Sequence, residues 1–158
     1  MPSVFSKALN GVHVKHHKNT ADVQSVRMPI PDKVTIPMIQ HMGAPCDLLV
    51  KVGDMVAVGQ KIGDSEAFLS SPIHSSVSGK VVEVKDFVTA GGAKCKAVVI
   101  ETDKEQTIYA GITAPTVTNQ QELIAAAKAC GLVGLGGAGF PTHIKLNPKN
   151  LIPLIHWL

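Results

Sequence analysis

VKVGDMVAVGQKIG, residues 50–63, carries the clearest structural signal in this chain, and it is followed by SSPIHSSVSGKVVEV, residues 70–84. Both stretches consist of short β-branched runs that are separated by Gly-Asp, Gly-Gln or Ser-Gly pairs. Such runs predict short strands, and Gly53-Asp54 and Gly63-Asp64 are natural turn positions. The pattern therefore predicts an all-β unit built from hairpins.

The same texture continues on both sides of these stretches, and it defines a β module over residues 34–102. Each predicted strand is a short run of Val, Ile or Leu with few polar interruptions. The predicted strands cover residues 34–36, 48–52, 56–58, 61–62, 79–84 and 97–100.

Composition limits the possible functions. Hydrophobic residues make up 45% of the chain, which is enough for a packed core. Aromatic residues make up only 4%, so a base-stacking surface for nucleic acid is not supported, and the net charge of +3 is modest. We therefore predict no nucleic-acid partner.

The cysteines and the apolar runs exclude further classes. Cys46, Cys95 and Cys130 are odd in number and far apart, which argues against a disulfide framework and against a cysteine-ligated metal site. A reducing cytosolic compartment fits them best. The N-terminus lacks a signal-peptide core, and no stretch approaches the ~20 apolar residues that span a bilayer. The sequence thus predicts no metal site and no membrane span.

Residues 1–33 predict an extended N-terminal arm, because they show neither the strand nor the helix period. His13, His16 and His17 lie in this arm. A metal site is one interpretation, but no predicted helix places His13 and His17 on one face. We favour a solvated basic arm.

The chain after the module predicts a linker over residues 103–117 and then a helix over residues 120–129. Thr118 begins a capping-box sequence, and Gly131 is placed to end the helix. Leu123, Ile124 and Ala127 are predicted to share one face of this helix. Pro141 suits the first position of a second, short helix.

The run GLVGLGGAGFPTHIKL, residues 131–146, places a glycine loop between these helices. Gly134, Gly136 and Gly139 match G-x-G-x-x-G, but no strand precedes them, as the dinucleotide fingerprint requires. The acidic residue of that fingerprint would fall ~20 positions on, beyond Leu158. From spacing alone, a nucleotide site and a tight helix-to-helix turn both stay open.

The two strand-rich stretches resemble the halves of a biotinyl/lipoyl-type barrel-sandwich hybrid domain. That family carries a modifiable lysine on the hairpin between the halves, whereas residues 64–71 contain no lysine. ETDK, residues 101–104, is similar to the carrier's modification sequence but follows both halves, so we interpret it as a polar turn. A swinging-arm carrier is disfavoured.

A more specific resemblance covers most of residues 11–150. IPMIQHMGAP, residues 36–45, and GLGGAGFPTHIKL, residues 134–146, resemble segments of the C subunit of the Rnf complexes, which are membrane-bound ion-translocating ferredoxin:NAD⁺ oxidoreductases. The glycine loop is also similar to the FMN loop in the NADH-binding flavoprotein subunit of respiratory complex I. The resemblance implies an α+β chain: an all-β barrel-sandwich hybrid module followed by the helical, glycine-loop start of an incomplete α/β nucleotide-binding domain over residues 118–150.

The resemblance also implies FMN and NAD(H) as cofactors and a phosphate-holding role for the glycine loop. Lys145 would supply a cation, or is simply a solvated lysine, and Thr142 would donate to phosphate or cap a helix. Leu135 stands where the complex I pattern has arginine, and His143 stands where it has glycine. The implied cofactor-binding residues are Gly134, Gly136, Gly137, Ala138, Gly139, Phe140, Thr142 and Lys145.

The chemistry of glycine agrees with this role. Glycine has no Cβ and tolerates positive φ, so the consecutive amides from Gly136 to Gly139 can converge on a phosphate. The N-terminus of a following helix would add a favourable field.

Two functional hypotheses follow. In the first, the chain is the N-terminal part of an electron-transfer subunit that sits peripherally on the cytoplasmic face of the membrane, with other subunits, NAD(H) and, indirectly, ferredoxin as partners. In the second, it is a noncatalytic docking module without cofactor. The apolar residues 151–158 leave the family pattern, and the cysteine motifs for two [4Fe-4S] clusters are absent, so we expect a truncated product. No catalytic side chain is assigned, and His74 is expected to be structural.

Overall fold

The computed structural model describes residue 15 and residues 17–147. Within these residues the chain forms seven strands and two helices. The strands precede both helices, as the sequence predicts. The elements are β1 (Lys33–Pro37), β2 (Asp47–Leu48), β3 (Met55–Val56), β4 (Lys61–Asp64), β5 (Ile73–His74), β6 (Gly79–Val88), β7 (Lys94–Thr102), α1 (Gln120–Ala129) and α2 (Thr142–Lys145).

The strands form two antiparallel sheets. One has four strands in the order β1-β7-β6-β3, and the other has three in the order β2-β4-β5. The β6–β7 hairpin is the longest pairing and runs from Gly79 opposite Thr102 to Val88 opposite Lys94. Its register shifts between Val81 and Glu83, which is the signature of a β-bulge.

The hydrophobic core joins the two sheets. Ile62 of β4, Val81 of β6 and Ile100 of β7 are fully buried, and so is Met38, which follows β1. Each such side chain contributes roughly 1.5–3 kcal/mol through burial. A continuous core of this kind explains why several strands of only two residues are stable.

Each predicted strand overlaps a strand of the structure, but most bounds differ. Strand β3 ends at Val56 rather than at residue 58, β4 includes Gly63 and Asp64, which the sequence predicts as a turn, and β7 extends beyond residues 97–100 at both ends. Residues 48–52 do not form one strand, because Lys51 donates its N–H to the Asp54 carboxylate at 2.9 Å and the chain turns there. The strand that begins at Gly79 continues to Val88 rather than ending at residue 84. Strand β5 has no counterpart among the predicted strands, since only two residues pair.

Helix α1 has the predicted bounds but a different cap. Asn119 is the N-cap, and its side chain accepts a hydrogen bond from the Glu122 N–H at 3.0 Å. Thr118 instead donates both its N–H and its hydroxyl to the Glu122 carboxylate. Leu123 is exposed, so the buried face consists of Ala127 with the partly buried Ile124. The prediction of Thr118 as cap is therefore wrong by one residue.

The end of α1 confirms the prediction for Gly131. This glycine has a left-handed φ of +67°, and its N–H donates to the Lys128 carbonyl at 2.9 Å. The Leu132 N–H donates to the Ala127 carbonyl, which completes a Schellman motif. Pro141 acts as the N-cap of α2 rather than as its first helical residue.

The segments predicted as arm and linker both attach to the module. In the arm, His17 is exposed, whereas His13 and His16 lie outside the described residues. The Thr102 hydroxyl donates to the Pro31 carbonyl at 2.6 Å. In the linker, the Tyr109 N–H donates to the Val58 carbonyl at 2.9 Å.

Candidate functional site

The glycine loop lies against the β module. The Gly139 carbonyl accepts a hydrogen bond from the Met42 N–H at 3.0 Å. Gly139 has a φ of +68°, and a Cβ at this position would lie 3.2 Å from the His41 Cα. Glycine is needed here both for its backbone conformation and for the close approach of the two segments.

The base of the loop is closed by its own backbone. Val133 and Pro141 form an antiparallel bridge, and the Gly134 N–H donates to the Phe140 carbonyl at 3.1 Å. The N–H groups of Gly137 and Gly139 both donate to the Gly134 carbonyl, at 3.3 and 3.2 Å. The loop is thus a preformed turn rather than an open strand.

This closure decides which amides can meet a ligand. The sequence predicts that four consecutive amides, from Gly136 to Gly139, converge on a phosphate, but those of Gly137 and Gly139 are already used within the loop. The N–H groups of Gly136 and Ala138 donate to no other described residue. Of these four amides, they are the ones that the loop can offer to an anion.

The apex of the loop has the space that a phosphate needs. A Cβ built on Gly136 or on Gly137 would meet no atom within 4 Å, and both residues are exposed. A bound group can therefore approach the backbone directly, which is the usual reason for glycine in phosphate loops. The residues present fit a phosphate.

Lys145 and Phe140 lie together beside the loop. The Lys145 Nζ is 5.7 Å from the centroid of the Phe140 ring, within the range of a cation–π contact. A Cβ on Gly134 would lie 2.9 Å from the same Nζ, so the ammonium group sits over the base of the loop. This position places a positive charge near the site.

Helix α2 adds little to the site. It has four residues, which make about one turn, so its dipole is small. Thr142 is its first residue and donates its N–H to the Leu132 carbonyl at 2.9 Å. The expectation that a following helix N-terminus strengthens phosphate binding therefore loses most of its basis.

The two positions that depart from the complex I pattern have different environments. Leu135 is 93% exposed at the tip of the loop. His143 is buried, and burial, together with the charge of Lys128, lowers its pKa. Its position makes His143 part of the packing between α1 and α2.

A cleft of about 430 Å³ is lined by residues of both the loop and the module. The loop contributes Gly137 and Ala138 to one side, and Ile39, Gln40 and His41 lie on the other. Thr89 and Ala93, at the tip of the β6–β7 hairpin, also line the cleft. Sequence reasoning missed these module residues, because only the tertiary packing brings them to the loop.

His41 anchors the segment beneath the cleft. Its Nε2 lies 3.2 Å from the Ser71 N–H and 3.0 Å from the Ala44 carbonyl, and one nitrogen cannot serve both. Because Ser71 is buried, its N–H needs an acceptor, which favours the unprotonated Nε2. Burial also lowers the pKa of His41. The ring thus has a structural role, because it links the segment after β1 to Ser71.

His74 occupies the junction between the module and α1, as the structural interpretation expects. A Cβ on Gly131 would lie 3.3 Å from the His74 Nδ1, so the end of the helix packs directly on this ring. Burial and the charge of Lys61 lower its pKa. His74 also lines a separate cleft of about 500 Å³ with Tyr109 and Cys130.

The three cysteines have different environments. Cys46 is buried and has its pKa raised to about 11 by burial, whereas Cys95 is half-buried and Cys130 exposed. In the part of the chain that the structure describes, no three metal-ligating side chains cluster. A [4Fe-4S] cluster, which needs four ligands, does not fit these three cysteines.

The interpretation of ETDK as a polar turn is only partly right, because Glu101 and Thr102 are the last residues of strand β7. The chain leaves the sheet at Asp103 and reaches Lys104, which has a positive φ of 67°. Its ammonium group donates to the Ile30 carbonyl at 2.9 Å and pairs with the Asp32 carboxylate. The same pair lowers the pKa of Asp32. This lysine holds the arm against the module and is not presented on a free hairpin.

The helices are too short or too polar for a membrane. Over residues 17–147, neither helix has the length and apolar character that would let it cross a bilayer.

Comparison with known proteins gives one consistent result. The sequence model of one protein family, the RnfC barrel-sandwich hybrid domain, matches residues 6–105 of this chain. The chain is 45% identical to the C subunit of the proton-translocating ferredoxin:NAD⁺ oxidoreductase complex of Clostridium ljungdahlii over 144 residues, or 87% of this chain and 31% of that protein. It is 43% identical over 140 residues to the C subunit of the Na⁺-translocating complex of Acetobacterium woodii, covering 86% of this chain and 32% of that protein.

A third relative extends the same picture to another bacterium. The C subunit of the ion-translocating oxidoreductase complex of Rhodobacter capsulatus is 35% identical over 142 residues. These residues are 87% of this chain and 27% of that protein, so the chain spans roughly a third of its relatives' length. The ordered motifs, the two-sheet module and the family model agree, and the chain belongs to the RnfC barrel-sandwich hybrid family.

Proposed function

We propose that this chain forms the N-terminal part of an electron-transfer subunit that exchanges electrons with NAD(H), and that its glycine loop holds the phosphate of FMN. The observation that carries the proposal is the open apex of the loop. There, Gly136 and Gly137 leave space on the surface, and the Gly136 and Ala138 amides have no partner among residues 17–147. Lys145 adds a positive charge at the base.

In this proposal, the residues of this chain bind and orient FMN, and they do not themselves react. FMN, when bound, supplies the hydride and single-electron chemistry. The Gly136 and Ala138 amides would donate to phosphate oxygens, and the Lys145 ammonium would balance the charge. Phe140 supports the lysine through its ring face. Residues 118–147 would then be the start of a nucleotide-binding domain.

The printed names of the relatives support an electron-transfer role. They describe subunits of ferredoxin:NAD⁺ oxidoreductase complexes, coupled to protons in one bacterium and to Na⁺ in another. We propose that this chain also works in such a complex, peripherally on the cytoplasmic face of the membrane. Its partners would be the other subunits, and ferredoxin would be reached only through them. No coupling ion is assigned to this chain, because one relative belongs to a proton-translocating complex and the other to a Na⁺-translocating complex.

FMN titration of the 158-residue chain tests the proposal. Gly137→Asp is the main variant: its Cβ has free space, so the fold tolerates it, while its carboxylate would face the phosphate. We expect FMN binding to weaken by at least about tenfold, because like charges in contact cost several kcal/mol. Wild-type protein that is folded but shows no saturable FMN binding would refute the proposal.

Two matched variants separate charge from bulk. Gly137→Asn has the size of the aspartate without its charge and should weaken binding less. Ser76→Asp adds the same charge at an exposed position of the module that does not line the cleft, and it should bind FMN as the wild type does. Equal loss in all three variants would show a nonspecific effect of charge or stability.

A noncatalytic docking role is the second candidate. Leu49, Val52 and Met55 are exposed by 54, 57 and 63% and follow one another around a turn of the module. Exposed apolar side chains in such proximity are typical of contact surfaces. If they contact another subunit of the complex, Val52→Asp should abolish retention of the chain by purified complex that lacks its C subunit, without changing FMN binding. Unchanged retention would refute this role for the surface.

A further inference from the structure

We infer that the β module itself forms one wall of the ligand site. Gln40, Thr89 and Ala93 would face the flat ring of a phosphorylated mononucleotide while the glycine loop holds its phosphate. The inference rests on the proposed function, since it assigns the module a part in the same site. It gives the barrel-sandwich hybrid a direct role in binding rather than a role in docking alone.

The geometry of the cleft supports this assignment. Its volume of about 430 Å³ falls within the range of roughly 300–1,000 Å³ that is usual for small-molecule sites. Two separate segments of the module reach it: the stretch from Ile39 to His41 after β1, and the tip of the β6–β7 hairpin. Neither segment is close to the loop in sequence.

The β6–β7 hairpin is longer than the core requires. Val81 in β6, with Val98 and Ile100 in β7, belongs to the hydrophobic core cluster. Residues 84–88 and 94–96 add no member to that cluster, and Val88 is 59% exposed. The outer parts of the two strands, residues 84–88 and 94–96, therefore extend the hairpin past the core, and its tip lines the same cleft as the glycine loop. Forming the wall of a site explains this extra length.

The lining suits a flat ring. Ala93, Val133 and Ala138 give the cleft apolar side chains without charge, which suit contact with the face of an aromatic ring. Polar groups are few. The Gln40 side chain is exposed and has no hydrogen bond within residues 17–147, so its amide can both donate and accept at a ring edge. The Thr89 hydroxyl accepts from the Ala93 N–H at 3.1 Å and keeps its own proton to donate.

The two walls are held at a fixed separation. The Met42 N–H bonds to the Gly139 carbonyl at 3.0 Å, one residue from His41 in the module wall. Gly139 packs against the backbone of Gln40 and His41, with a Cβ position only 3.3 Å from the Gln40 carbonyl. The cleft is thus a product of the contact between loop and module.

A pair of tryptophan substitutions at the hairpin tip tests the inference. Ala93 and Ala90 are both exposed residues at this tip, but only Ala93 lines the cleft. Ala93→Trp should fill the space and weaken FMN binding at least about tenfold, whereas Ala90→Trp should leave it within about twofold. Quenching of FMN fluorescence reports binding, and far-UV circular dichroism reports the fold of each variant.

Riboflavin, which lacks the phosphate, separates the two walls. Ala93→Trp should weaken riboflavin and FMN alike, and Gly137→Asp should weaken FMN selectively. Wild-type binding by Ala93→Trp, together with loss of FMN binding in Gly137→Asp, would overturn the inference and leave the proposed function standing. A folded wild-type chain that binds neither flavin would overturn both.

Discussion

The β module and the glycine-loop segment achieve order in different ways. The module buries a continuous cluster that includes Met38, Ile62 and Val81, and it draws on both sheets. In residues 118–147 the buried side chains are only Ala127, Pro141 and His143. A segment with so little core of its own depends on what it packs against. The loop is therefore shaped by backbone hydrogen bonds and by the module, and the module is shaped by its own core.

The two regions should therefore respond differently to substitution. Changes in the core should destabilise the whole described fold, because both sheets share one cluster. Changes in the loop should alter local geometry and ligand binding with small effects on global stability.

Ile62→Ala should change stability the most. Ile62 is fully buried in the module core, so its truncation should cost about 2–5 kcal/mol in the free energy of unfolding. Leu123→Ala is the matched change in α1, where the side chain is 44% exposed, and it should stay within about 0.5 kcal/mol. Urea denaturation measures both. Similar losses for the two variants would contradict the division between core and loop.

Two substitutions within the glycine loop should change the free energy of unfolding by smaller amounts and in opposite directions. Gly139 has a left-handed φ and lies against His41, so Gly139→Ala should destabilise by about 1–2 kcal/mol. Gly136 has no left-handed φ and open space around it, so Gly136→Ala should be neutral or stabilise by up to about 1 kcal/mol.

Thermal unfolding of these two variants checks the prediction. FMN titration adds a second test, because Gly136→Ala places a methyl group where the backbone is free to approach a phosphate. It should therefore weaken FMN binding even while stability is kept. Loss of stability at both positions would mean that the loop tolerates no side chain, and the contrast between its base and its apex would be lost.

Much of the fold follows from local sequence. The turn at Gly53 and the β-branched runs predict the module, and Gly131 predicts the end of α1. Short-range signals suffice there, because each depends on the conformation of one or two residues. The turn predicted at Gly63-Asp64 is wrong, because both residues pair with β2 inside strand β4. Strand β5 and the outer part of β6 escape prediction, since pairing with distant strands, rather than local propensity, creates them.

Only the loop residues of the candidate site can be predicted from the sequence. The glycines and Lys145 are recognisable by motif, and the structure brings Lys145 over the loop base. Gln40, Thr89 and Ala93 carry no motif, and they reach the cleft only through tertiary packing. Which loop amides are free is also beyond the sequence, because the bonds of Gly137 and Gly139 to the Gly134 carbonyl appear only in the folded turn.

The pH dependence of stability should be the weakest of these effects, and it centres on His41 at the contact between module and loop. Burial lowers the pKa of folded His41 below its ordinary 6.5, so the folded state binds the proton less readily than the unfolded chain. The stability that neutral His41 contributes is complete above about pH 6.5 and is lost as the pH falls toward the folded pKa. His74 and His143 have the same direction of pKa shift. Carboxylates with lowered pKa, such as Asp64 and Asp103, act only at and below about pH 3.8.

His41→Gln isolates the contribution of His41. The glutamine amide oxygen can still accept from the Ser71 N–H, but the side chain does not titrate. Between about pH 7.5 and about pH 5, the variant should lose less stability than the wild type, as measured by urea midpoints. The change of stability with pH that remains in this variant comes from the other histidines. An unchanged slope in His41→Gln would show that His41 titrates normally, and then the module wall beside the glycine loop would be open to water.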